Sequence, residues 1–223
     1  MIVAVVPVKA LASAKSRLAP RLADDARKQL VLAMLGDVLA ALTTCPALAA
    51  VWVIACDPEV GRVATTLGAE WLPEGESVGY NEAVAWAARR IAALPGAAML
   101  VIPGDIPGLS ADEVLAIIDA LPRGPRAAVL VPSGDGRGTN AALLAPASAF
   151  TLCFGEPSFE RHCQLARAAG VNAAVLHLNG AALDLDTPDD LARFIERSTP
   201  TQTRTLLEQF RAELDVGDRP ALR

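Results

Sequence analysis

A basic loop directly after the first apolar run of the chain holds the side chains best suited to binding phosphate. The loop spans Pro7 to Leu18, and two of the three lysines of the chain, Lys9 and Lys15, lie in it beside Arg17. Lysine supplies a mobile point charge and arginine a fork that contacts two phosphate oxygens, so the cluster suits a nucleoside triphosphate. A solvated basic loop is the alternative interpretation. The G-x-x-x-x-G-K-[ST] pattern of a P-loop does not occur here.

Three aspartates are candidates for holding a divalent cation against those phosphates. Asp105 follows a buried apolar run and precedes Pro107, so it lies where a central strand is predicted to end. Asp184 and Asp186 alternate along an extended stretch, which points both carboxylates to one face. The alternatives are that Asp105 caps a turn and that Asp184 and Asp186 lie on a solvent-exposed edge. Because Thr187 can cap the following helix by itself, Asp186 is not needed for that role.

A second anion pocket is predicted from two segments that contain glycine. Thr139 follows the glycine-rich loop 133–138, and Gly155 and Ser158 lie at a predicted helix start that Ser158 can cap. Glycine lets backbone N–H groups approach an anion, and a helix N-terminus adds amide donors and a favourable dipole. The alternative is a hairpin turn followed by an ordinary capped helix. His162 lies one turn into that helix, and a core or surface position is favoured over the pocket for its ring.

The elements that must position these residues alternate between short apolar runs and longer amphipathic stretches. This pattern is typical of an α/β protein whose helices pack on both faces of a mostly parallel sheet. Strands are predicted at 2–8, 51–55, near 71, and at 98–102, 127–132, 140–144 and 174–178. Helices are predicted at 24–44, after 58, and at 81–94, 111–121, 158–170, from 188, and at 205–214. Ligands of such sheets bind beyond the carboxyl ends of the strands, so the candidate segments should meet there.

Two helix starts carry clear sequence signals. Ser110 and Glu113 have the spacing of a capping box. Thr187 is followed by proline at the first helical position and by Asp189 and Asp190 in the first turn. The helix dipole accounts for these two acids, so neither is assigned a catalytic role.

Composition narrows the class of protein. The chain has 223 residues, of which 52% are hydrophobic, and this excludes a disordered protein. Its net charge of −5 argues against a nucleic-acid partner, which requires a basic face. No run approaches the roughly 20 apolar residues of a membrane span, and no basic region precedes the first apolar run, so we expect a cytoplasmic protein without a membrane partner. The four cysteines lack C-x-x-C spacing, which favours reduced thiols.

The end of the chain differs in character from the rest. We expect one domain over residues 1–199 and a polar C-terminal tail over 200–223 with one short helix. A second copy of the chain, in a homodimer, is the candidate surface against which this helix packs.

Five motifs occur together in an order that resembles one enzyme family. They are Pro7-Val8-Lys9 with Ala14-Lys15-Ser16-Arg17-Leu18, Gly104-Asp105-Ile106-Pro107, Gly138-Thr139-Asn140-Ala141, Phe154-Gly155-x-x-Ser158-Phe159-x-x-His162 and Leu183-Asp184-Leu185-Asp186-Thr187-Pro188. The set resembles the guanylyltransferases of deazaflavin coenzyme (F-420) biosynthesis over residues 1 to about 197. Single motifs, such as G-D-x-P and D-x-D-T-P, also occur in the wider nucleotidyltransferase superfamily, whereas all five in order are specific.

The resemblance implies a fold and a reaction. The fold is a Rossmann-like nucleotidyltransferase domain related to the GT-A glycosyltransferases. The reaction transfers GMP from GTP to a small phosphorylated acid and releases pyrophosphate, with Mg²⁺ as cofactor. The acid is 2-phospho-L-lactate, phosphoenolpyruvate or 3-phospho-D-glycerate. The Ala- and Arg-rich, Lys-poor composition resembles proteins of GC-rich bacteria, for which the resemblance favours the last two acids, and of these we favour 3-phospho-D-glycerate. Because the product is expected to be labile, the next enzyme of the pathway is a candidate partner.

The resemblance also implies a role for each candidate residue. The catalytic residues, which also bind the nucleotide, are Lys9, Lys15, Arg17 and Asp105, and Pro7 and Asn81 complete the nucleotide site. The metal ligands are Asp105 with Asp184 or Asp186. The acceptor lies against Thr139, Gly155 and Ser158.

The scarcity of histidine is compatible with this reaction. A phosphate-bearing acceptor is already an anion, so its oxygen can attack the α-phosphorus of GTP without a general base. The alternatives are another nucleotidyltransferase, such as a molybdenum-cofactor transferase, or a GT-A glycosyltransferase in which Asp184 and Asp186 hold a nucleotide sugar. A nucleotide-binding regulatory protein without catalysis is the alternative from a different class.

Overall fold

The structure, a computed structural model, describes residues 1–75, 79–197 and 200–210 of the chain. These ranges contain a seven-stranded sheet with the order β3-β2-β1-β4-β6-β5-β7. The strands are β1 (Ile2–Pro7), β2 (Ala50–Ala55), β3 (Glu70–Pro73), β4 (Ala98–Val101), β5 (Ala127–Pro132), β6 (Thr139–Ala145) and β7 (Asn172–Val175). Strand β6 runs antiparallel to β4 and β5, and the other pairs are parallel. The predicted mostly parallel α/β sheet is therefore confirmed.

Helices cover both faces of this sheet. They are α1 (Asp24–Thr43), α2 (Pro58–Thr66), α3 (Tyr80–Ala92), α4 (Ala111–Asp119), α5 (Ser158–Ala168), α6 (Pro188–Ile195) and α7 (Gln202–Gln209). One face buries side chains of α1, α2, α4, α6 and α7, and the other buries side chains of α3 and α5. Within the described ranges, no helix has the length and apolar content that crossing a bilayer requires.

The central strands are apolar along their whole length because they are covered on both sides. Every residue of β4 and β5 is buried, as the continuous apolar runs at these positions predict. Helix α1 shows the expected spacing of four, since Leu30, Met34, Val38 and Leu42 are all fully buried. Burial of these side chains from water is the main force that holds the helix on the sheet.

The edge strand β7 lies earlier in the sequence than the predicted range 174–178. It pairs with β5 from Asn172 to Val175, and three of its four residues are exposed. An exposed edge strand carries no apolar alternation, so its register is set by pairing with β5 rather than by a pattern of its own.

Helix α7 begins three residues earlier than predicted and packs within its own chain. Its first backbone N–H groups, those of Gln202 and Thr203, donate to the carboxylate of Asp37 on α1 at 2.8 and 2.9 Å. Leu207 of α7 is fully buried in the core that α1 contributes to. One face of the helix is thus covered by its own chain, and its packing on a second copy stays a prediction. The domain boundary at residue 199 and the homodimer stay predictions, and the predicted helix end at residue 214 lies outside the described residues.

Candidate active site

A cleft of about 900 Å³ lies at the edge of the sheet where β1 and β4 end. Its walls come from the segments that follow β1, β4 and β5, from the start of α3, and from the loops before α5 and α6. The structure brings together along this cleft every residue that the sequence singled out for a site. They are Pro7, Lys9, Lys15, Arg17, Asn81, Asp105, Thr139, Gly155, Ser158, Asp184 and Asp186.

The basic loop has little regular structure, but buried leucines and a hydrogen bond attach it to the rest of the fold. Two short 3₁₀ turns, Leu11–Ser13 and Ser16–Leu18, bury their leucines in the core. The backbone N–H of Leu11 donates to the carboxylate of Asp57 at 2.7 Å, which ties the loop to the end of β2. Between the two turns Lys15 has a left-handed backbone with φ of 53°. A non-glycine residue pays roughly 1 kcal/mol for this conformation, which here aims the lysine into the cleft.

Lys15 joins the basic loop to two acidic segments. Its Nζ lies 2.7 Å from a carboxylate oxygen of Asp105 and 2.7 Å from one of Asp186. Burial opposes the charged form of Lys15, but attraction to the two carboxylates outweighs it and raises the pKa of the ammonium. Burial likewise opposes ionisation of Asp186, but Lys15, followed by Arg17 and Lys9, holds the pKa of that carboxyl below its usual range.

The other two cations of the loop are free to reach a ligand. The side chain of Arg17 is 67% exposed and its guanidinium lies 3.7 Å from Asp186. Lys9 is exposed and lines the same cleft. An exposed ion pair at this distance contributes little to stability, so Arg17 can turn toward an anion at small cost.

The segment 183–186 presents its two aspartates to the cleft. Leu183 and Leu185 are buried whereas Asp184 and Asp186 are partly exposed, which is the predicted alternation. The N–H of Leu185 donates to the backbone carbonyl of Asp105 at 3.1 Å. This bond fixes the segment beside the end of β4.

Glu113 binds the backbone just before this segment. Its carboxylate accepts the backbone N–H groups of Gly180 and Ala181 at 2.7 and 3.1 Å. The Ser110 hydroxyl accepts the N–H of Glu113, as predicted, but Glu113 does not return to Ser110. The predicted capping box at α4 is therefore only half formed, because its acid binds a distant loop. The box at α6 is complete, with Thr187 and Asp190 bonding each other's backbone.

Asp184 differs from Asp186 in its surroundings. Burial, followed by the nearby charges of Asp105 and Asp186, raises the pKa of the Asp184 carboxyl. The side-chain amide of Asn140 donates to the Asp184 carboxylate at 3.4 Å and to the carbonyl of Ala181 at 2.8 Å. A cation bound beside such a carboxyl would stabilise its ionised form and lower its pKa.

The acidic residues can be compared with what a magnesium ion requires. Mg²⁺ prefers oxygen ligands and is commonly held by one or two carboxylates together with substrate phosphates. Asp105, Asp184 and Asp186 provide such oxygens, and burial, followed by repulsion from the other two, raises the pKa of Asp184. Within the described ranges no three acidic, histidine or cysteine side chains converge on one point. The three carboxylates therefore fit Mg²⁺ in their chemistry. Because the Lys15 ammonium lies between two of them, it would have to move away for the ion to bind there.

The predicted acceptor segment is tied to the sheet at Thr139. The backbone N–H of Thr139 donates to the Ser158 hydroxyl at 3.0 Å. Helix α5 starts at Ser158 and its N-cap is Pro157, so Ser158 does not cap this helix as predicted. Gly155 has a φ of 113°, a conformation that favours glycine, and its position in the bend before α5 explains the residue type.

Asn81 holds the loop that contains Gly155. Its side-chain amide accepts the N–H of Phe154 at 2.7 Å and donates to the carbonyl of the same residue at 3.0 Å. Both polar atoms of the amide are therefore bonded to the protein backbone. Asn81 lines the cleft, but in this arrangement it orients a loop instead of presenting its amide to a nucleotide.

His162 is fully buried, in agreement with the core position favoured from the sequence. Its ring lies behind Thr139 and bonds the hydroxyl of that residue at 2.9 Å.

Three supporting residues were not assigned to the site by the sequence. Asp57, Glu113 and Asn140 each bond a backbone group in a segment more than 40 positions away. Asn140 stands beside Thr139 in one of the motifs, and Glu113 has the spacing of a capping box with Ser110, but neither signal predicts these distant partners.

Comparison with known proteins decides the family. The family model described as "Guanylyl transferase CofC like" matches residues 2–223. The chain belongs to this family. Guanylyl transferases of the CofC type are nucleotidyltransferases, so the predicted enzyme class is confirmed and the predicted resemblance is correct.

Relatives of this CofC-like guanylyltransferase match most of its length. The phosphoenolpyruvate guanylyltransferase of Sphaerobacter thermophilus is 41% identical over 189 residues, which are 85% of this chain and 90% of that protein. The phosphoenolpyruvate guanylyltransferase of Rubrobacter xylanophilus is 40% identical over 201 residues, or 90% of this chain and 96% of that protein.

Solved structures agree on the fold of this CofC-like guanylyltransferase. A protein of Desulfovibrio desulfuricans G20, named as a nucleotide-diphospho-sugar transferase, superposes with a TM-score of 0.74 at 17% identity, over 98% of this chain and 99% of that one. A nucleotidyl transferase of Methanothermobacter gives a TM-score of 0.61 at 16% identity, over 94% and 99% of the two chains. The predicted nucleotidyltransferase fold is thus confirmed.

Proposed function

We propose that this guanylyltransferase joins GMP from GTP to a small phosphorylated acid and releases pyrophosphate. The observation that carries the proposal is the contact of Lys15 with Asp105 and Asp186 in the cleft that Thr139 and Ser158 also line. The cleft therefore combines cations for a triphosphate, carboxylates for a metal and polar groups for a second anion.

The triphosphate is proposed to bind the basic loop. Lys9 and Arg17 are exposed along the cleft, and Lys15 is aimed into it by its left-handed backbone. Together they can neutralise three phosphate charges without a P-loop. Pro7 ends β1 at the base of the cleft, where it limits how the loop leaves the sheet.

The metal ligands are proposed to be Asp105 with Asp186, and Asp184 beside them. Magnesium, when bound, would supply positive charge that stabilises the phosphate oxygens as negative charge shifts during the transfer. Asp105 and Asp186 would hold it once Lys15 has turned from them toward the triphosphate. Asp184 is the carboxylate whose pKa is raised, so an added cation would relieve its repulsion with the other two.

The acceptor is proposed to lie against Thr139, Gly155 and Ser158. Ser158 and Thr139 are held to each other, and the Gly155 bend exposes backbone to the cleft. The N-terminus of α5 adds a favourable dipole for an anionic acid.

The chemical step is an in-line displacement at the α-phosphorus of GTP. An oxygen of the acceptor phosphate forms the new P–O bond, the bond from the α-phosphorus to the bridging oxygen breaks, and pyrophosphate leaves with that electron pair. No proton needs to be removed from an ionised phosphate, so the chain has to supply positioning and positive charge. Lys9, Lys15 and Arg17 serve both the bound triphosphate and the pyrophosphate that departs.

Phosphoenolpyruvate is the acceptor that the relatives favour. The proteins of Sphaerobacter thermophilus and Rubrobacter xylanophilus are both named for it, at 41% and 40% identity. The sequence analysis favours 3-phospho-D-glycerate, and we give the relatives more weight because they match 85% and 90% of this chain. The assignment of the product to coenzyme F-420 biosynthesis, and its transfer to the next enzyme, belong to the same proposal.

A substrate panel tests the proposal. The protein is incubated with GTP, Mg²⁺ and one of phosphoenolpyruvate, 3-phospho-D-glycerate or 2-phospho-L-lactate, and pyrophosphate and the product mass are measured. We expect a GMP adduct of phosphoenolpyruvate to form fastest. Preference for another of the three acids would correct the acceptor, and no reaction with any of them would overturn the proposed function. Replacing GTP by CTP or ATP is the matched control for the nucleotide.

A further inference from the structure

His162 touches two different parts of the acceptor site from behind. Its Nδ1 lies 2.9 Å from the hydroxyl oxygen of Thr139, and its Nε2 lies 2.9 Å from the backbone nitrogen of Cys153. The ring is packed between Phe150 and Phe154, with centroids 6.4 and 5.0 Å away. It is fully buried and does not line the cleft. The ring therefore cannot touch a substrate directly.

The hydrogen bonds determine which nitrogen carries the proton. A backbone N–H can only donate, so Nε2 must accept from Cys153 and the proton of the neutral ring lies on Nδ1. Burial, followed by the charge of Arg161, lowers the pKa of His162 to about 4, which keeps the ring neutral at pH 7. Nδ1–H therefore donates to the Thr139 hydroxyl oxygen, and the hydroxyl proton of Thr139 must point elsewhere.

The O–H bond of Thr139 is left to point toward the cleft. The Thr139 oxygen already receives the His162 bond, and the nearby Ser158 hydroxyl, at 3.4 Å, is a weak donor to the same oxygen. Ser158 in turn accepts the backbone N–H of Thr139. Thr139 lines the cleft, so its O–H can donate to an anion bound there.

We propose that His162 is a positioning residue for the phosphorylated acid. One ring nitrogen fixes Cys153, where the loop to Ser158 begins, and the other makes the Thr139 hydroxyl a donor toward the acceptor. This inference rests on the proposed function, because it assigns a role within the same acceptor site. His162 is not a general base, since both ring nitrogens are already bonded to the protein.

The remaining contacts of the loop explain why the effect should be confined to the acceptor. Asn81 holds Phe154 at both its backbone N–H and its carbonyl. In a variant that keeps the bond to Cys153 the loop therefore keeps its path, and the direction of the Thr139 hydroxyl is what is lost. The triphosphate cations lie on a different loop, which His162 does not contact.

Two substitutions separate the two bonds of the ring. In His162→Asn the amide NH₂ lies near the position of Nδ1 and can still donate to Thr139. In His162→Gln the longer side chain reaches the position of Nε2 and can accept from Cys153, but it leaves Thr139 without its donor. Steady-state kinetics are measured with GTP and phosphoenolpyruvate, varying each in turn, and thermal unfolding verifies that both variants are folded.

We expect His162→Gln to raise the KM for the acid by about tenfold, with the KM for GTP and kcat changing by less than about twofold, because a ground-state contact is lost. His162→Asn should raise the KM for the acid by less than about threefold. Thr139→Val should reproduce the effect of His162→Gln, and the double variant should show no further increase, because both changes remove one interaction.

Three results would overturn the inference. They are an unchanged KM for the acid in His162→Gln, an equal rise in the KM for GTP, and additive effects in the double variant. The wild-type protein is assayed in parallel, which separates the two proposals. If the wild type converts none of the three acids, the proposed function fails and this inference fails with it, whereas an active wild type with an unaffected His162→Gln overturns the inference alone.

Discussion

The ammonium group of Lys15 lies 2.7 Å from a carboxylate oxygen of Asp105, a residue 90 positions further along the chain. The same ammonium lies 2.7 Å from Asp186, so a single cation links the basic loop to both acidic segments. The Lys15 side chain is only 6% exposed, and charges shielded from water in this way interact more strongly than a surface pair. Lys15 is thus held between two carboxylates where water screens the attraction little.

Lys15→Met is expected to strengthen the binding of a divalent cation to the nucleotide-free protein. Without the ammonium, Asp105 and Asp186 face each other with no competing cation between them. We expect the affinity for Mn²⁺, followed by electron paramagnetic resonance, to rise by about tenfold or more. Turnover with GTP should fall by about 100-fold, because the triphosphate loses one of its cations.

Lys28→Met is the matched control for that variant. Lys28 lies on α1 and pairs at 3.7 Å with the exposed Asp25. Neither Mn²⁺ affinity nor turnover should change in it. An affinity for Mn²⁺ that is the same in Lys15→Met and in the wild type would show that Lys15 does not compete with the metal.

Asp105→Asn should remove most of the turnover. The substitution keeps the size of the side chain but removes the charge that would attract Mg²⁺, and it weakens the bond to Lys15. We expect pyrophosphate release with GTP and Mg²⁺ to fall by about 100-fold or more. Asp189→Asn, at an exposed position on α6, should stay within about twofold of the wild type. Full activity of Asp105→Asn would contradict the assignment of Asp105 as a metal ligand.

Asn81→Asp tests whether Asn81 serves the nucleotide or the acceptor loop. The new carboxylate would face the carbonyl of Phe154 and lose the bond that the amide donates at 3.0 Å. We expect the KM for the acid to rise by about tenfold while the affinity for GTP, measured by calorimetry, changes little. Asn172→Asp, on an exposed strand, is the control. A selective loss of GTP affinity would instead support the nucleotide-binding role predicted from the sequence.

The buried ring of His162 makes stability depend on pH. Its pKa is lowered to about 4 in the folded protein and returns to about 6.5 on unfolding. Between these values the unfolded chain binds more protons, so the free energy of unfolding falls as the pH drops. From pH 7 to pH 5 the loss should be about 2 kcal/mol, measured by urea unfolding.

His162→Phe lacks this titration and keeps a ring between the two phenylalanines. Its free energy of unfolding should therefore fall less than that of the wild type over the same pH interval. Equal falls in the two proteins would show that the ring is protonated at pH 5 without cost to the fold. His162→Gln provides the same comparison with a side chain that retains one hydrogen bond.

Helix α1, strand β7 and helix α7 show how far sequence patterns predict the fold. The apolar spacing of α1 predicts that helix because burial itself creates the spacing. The edge strand β7 is misplaced because its exposed residues have no such constraint. Helix α7 is located approximately, but its packing on α1 through Asp37 depends on two segments more than 160 positions apart.

The sequence by itself determined most of the sheet, the family motifs and the candidate residues that line the cleft. It could do so because the carboxyl ends of parallel strands lie at one edge, and motifs that follow those strands are brought together by the topology. The tertiary structure alone decided the partners of each side chain. Lys15 lies between Asp105 and Asp186, and Asn81 holds Phe154, because hydrogen bonds and ion pairs form over a few ångströms. Distances of that size depend on how the elements pack, and neither periodicity nor composition encodes them.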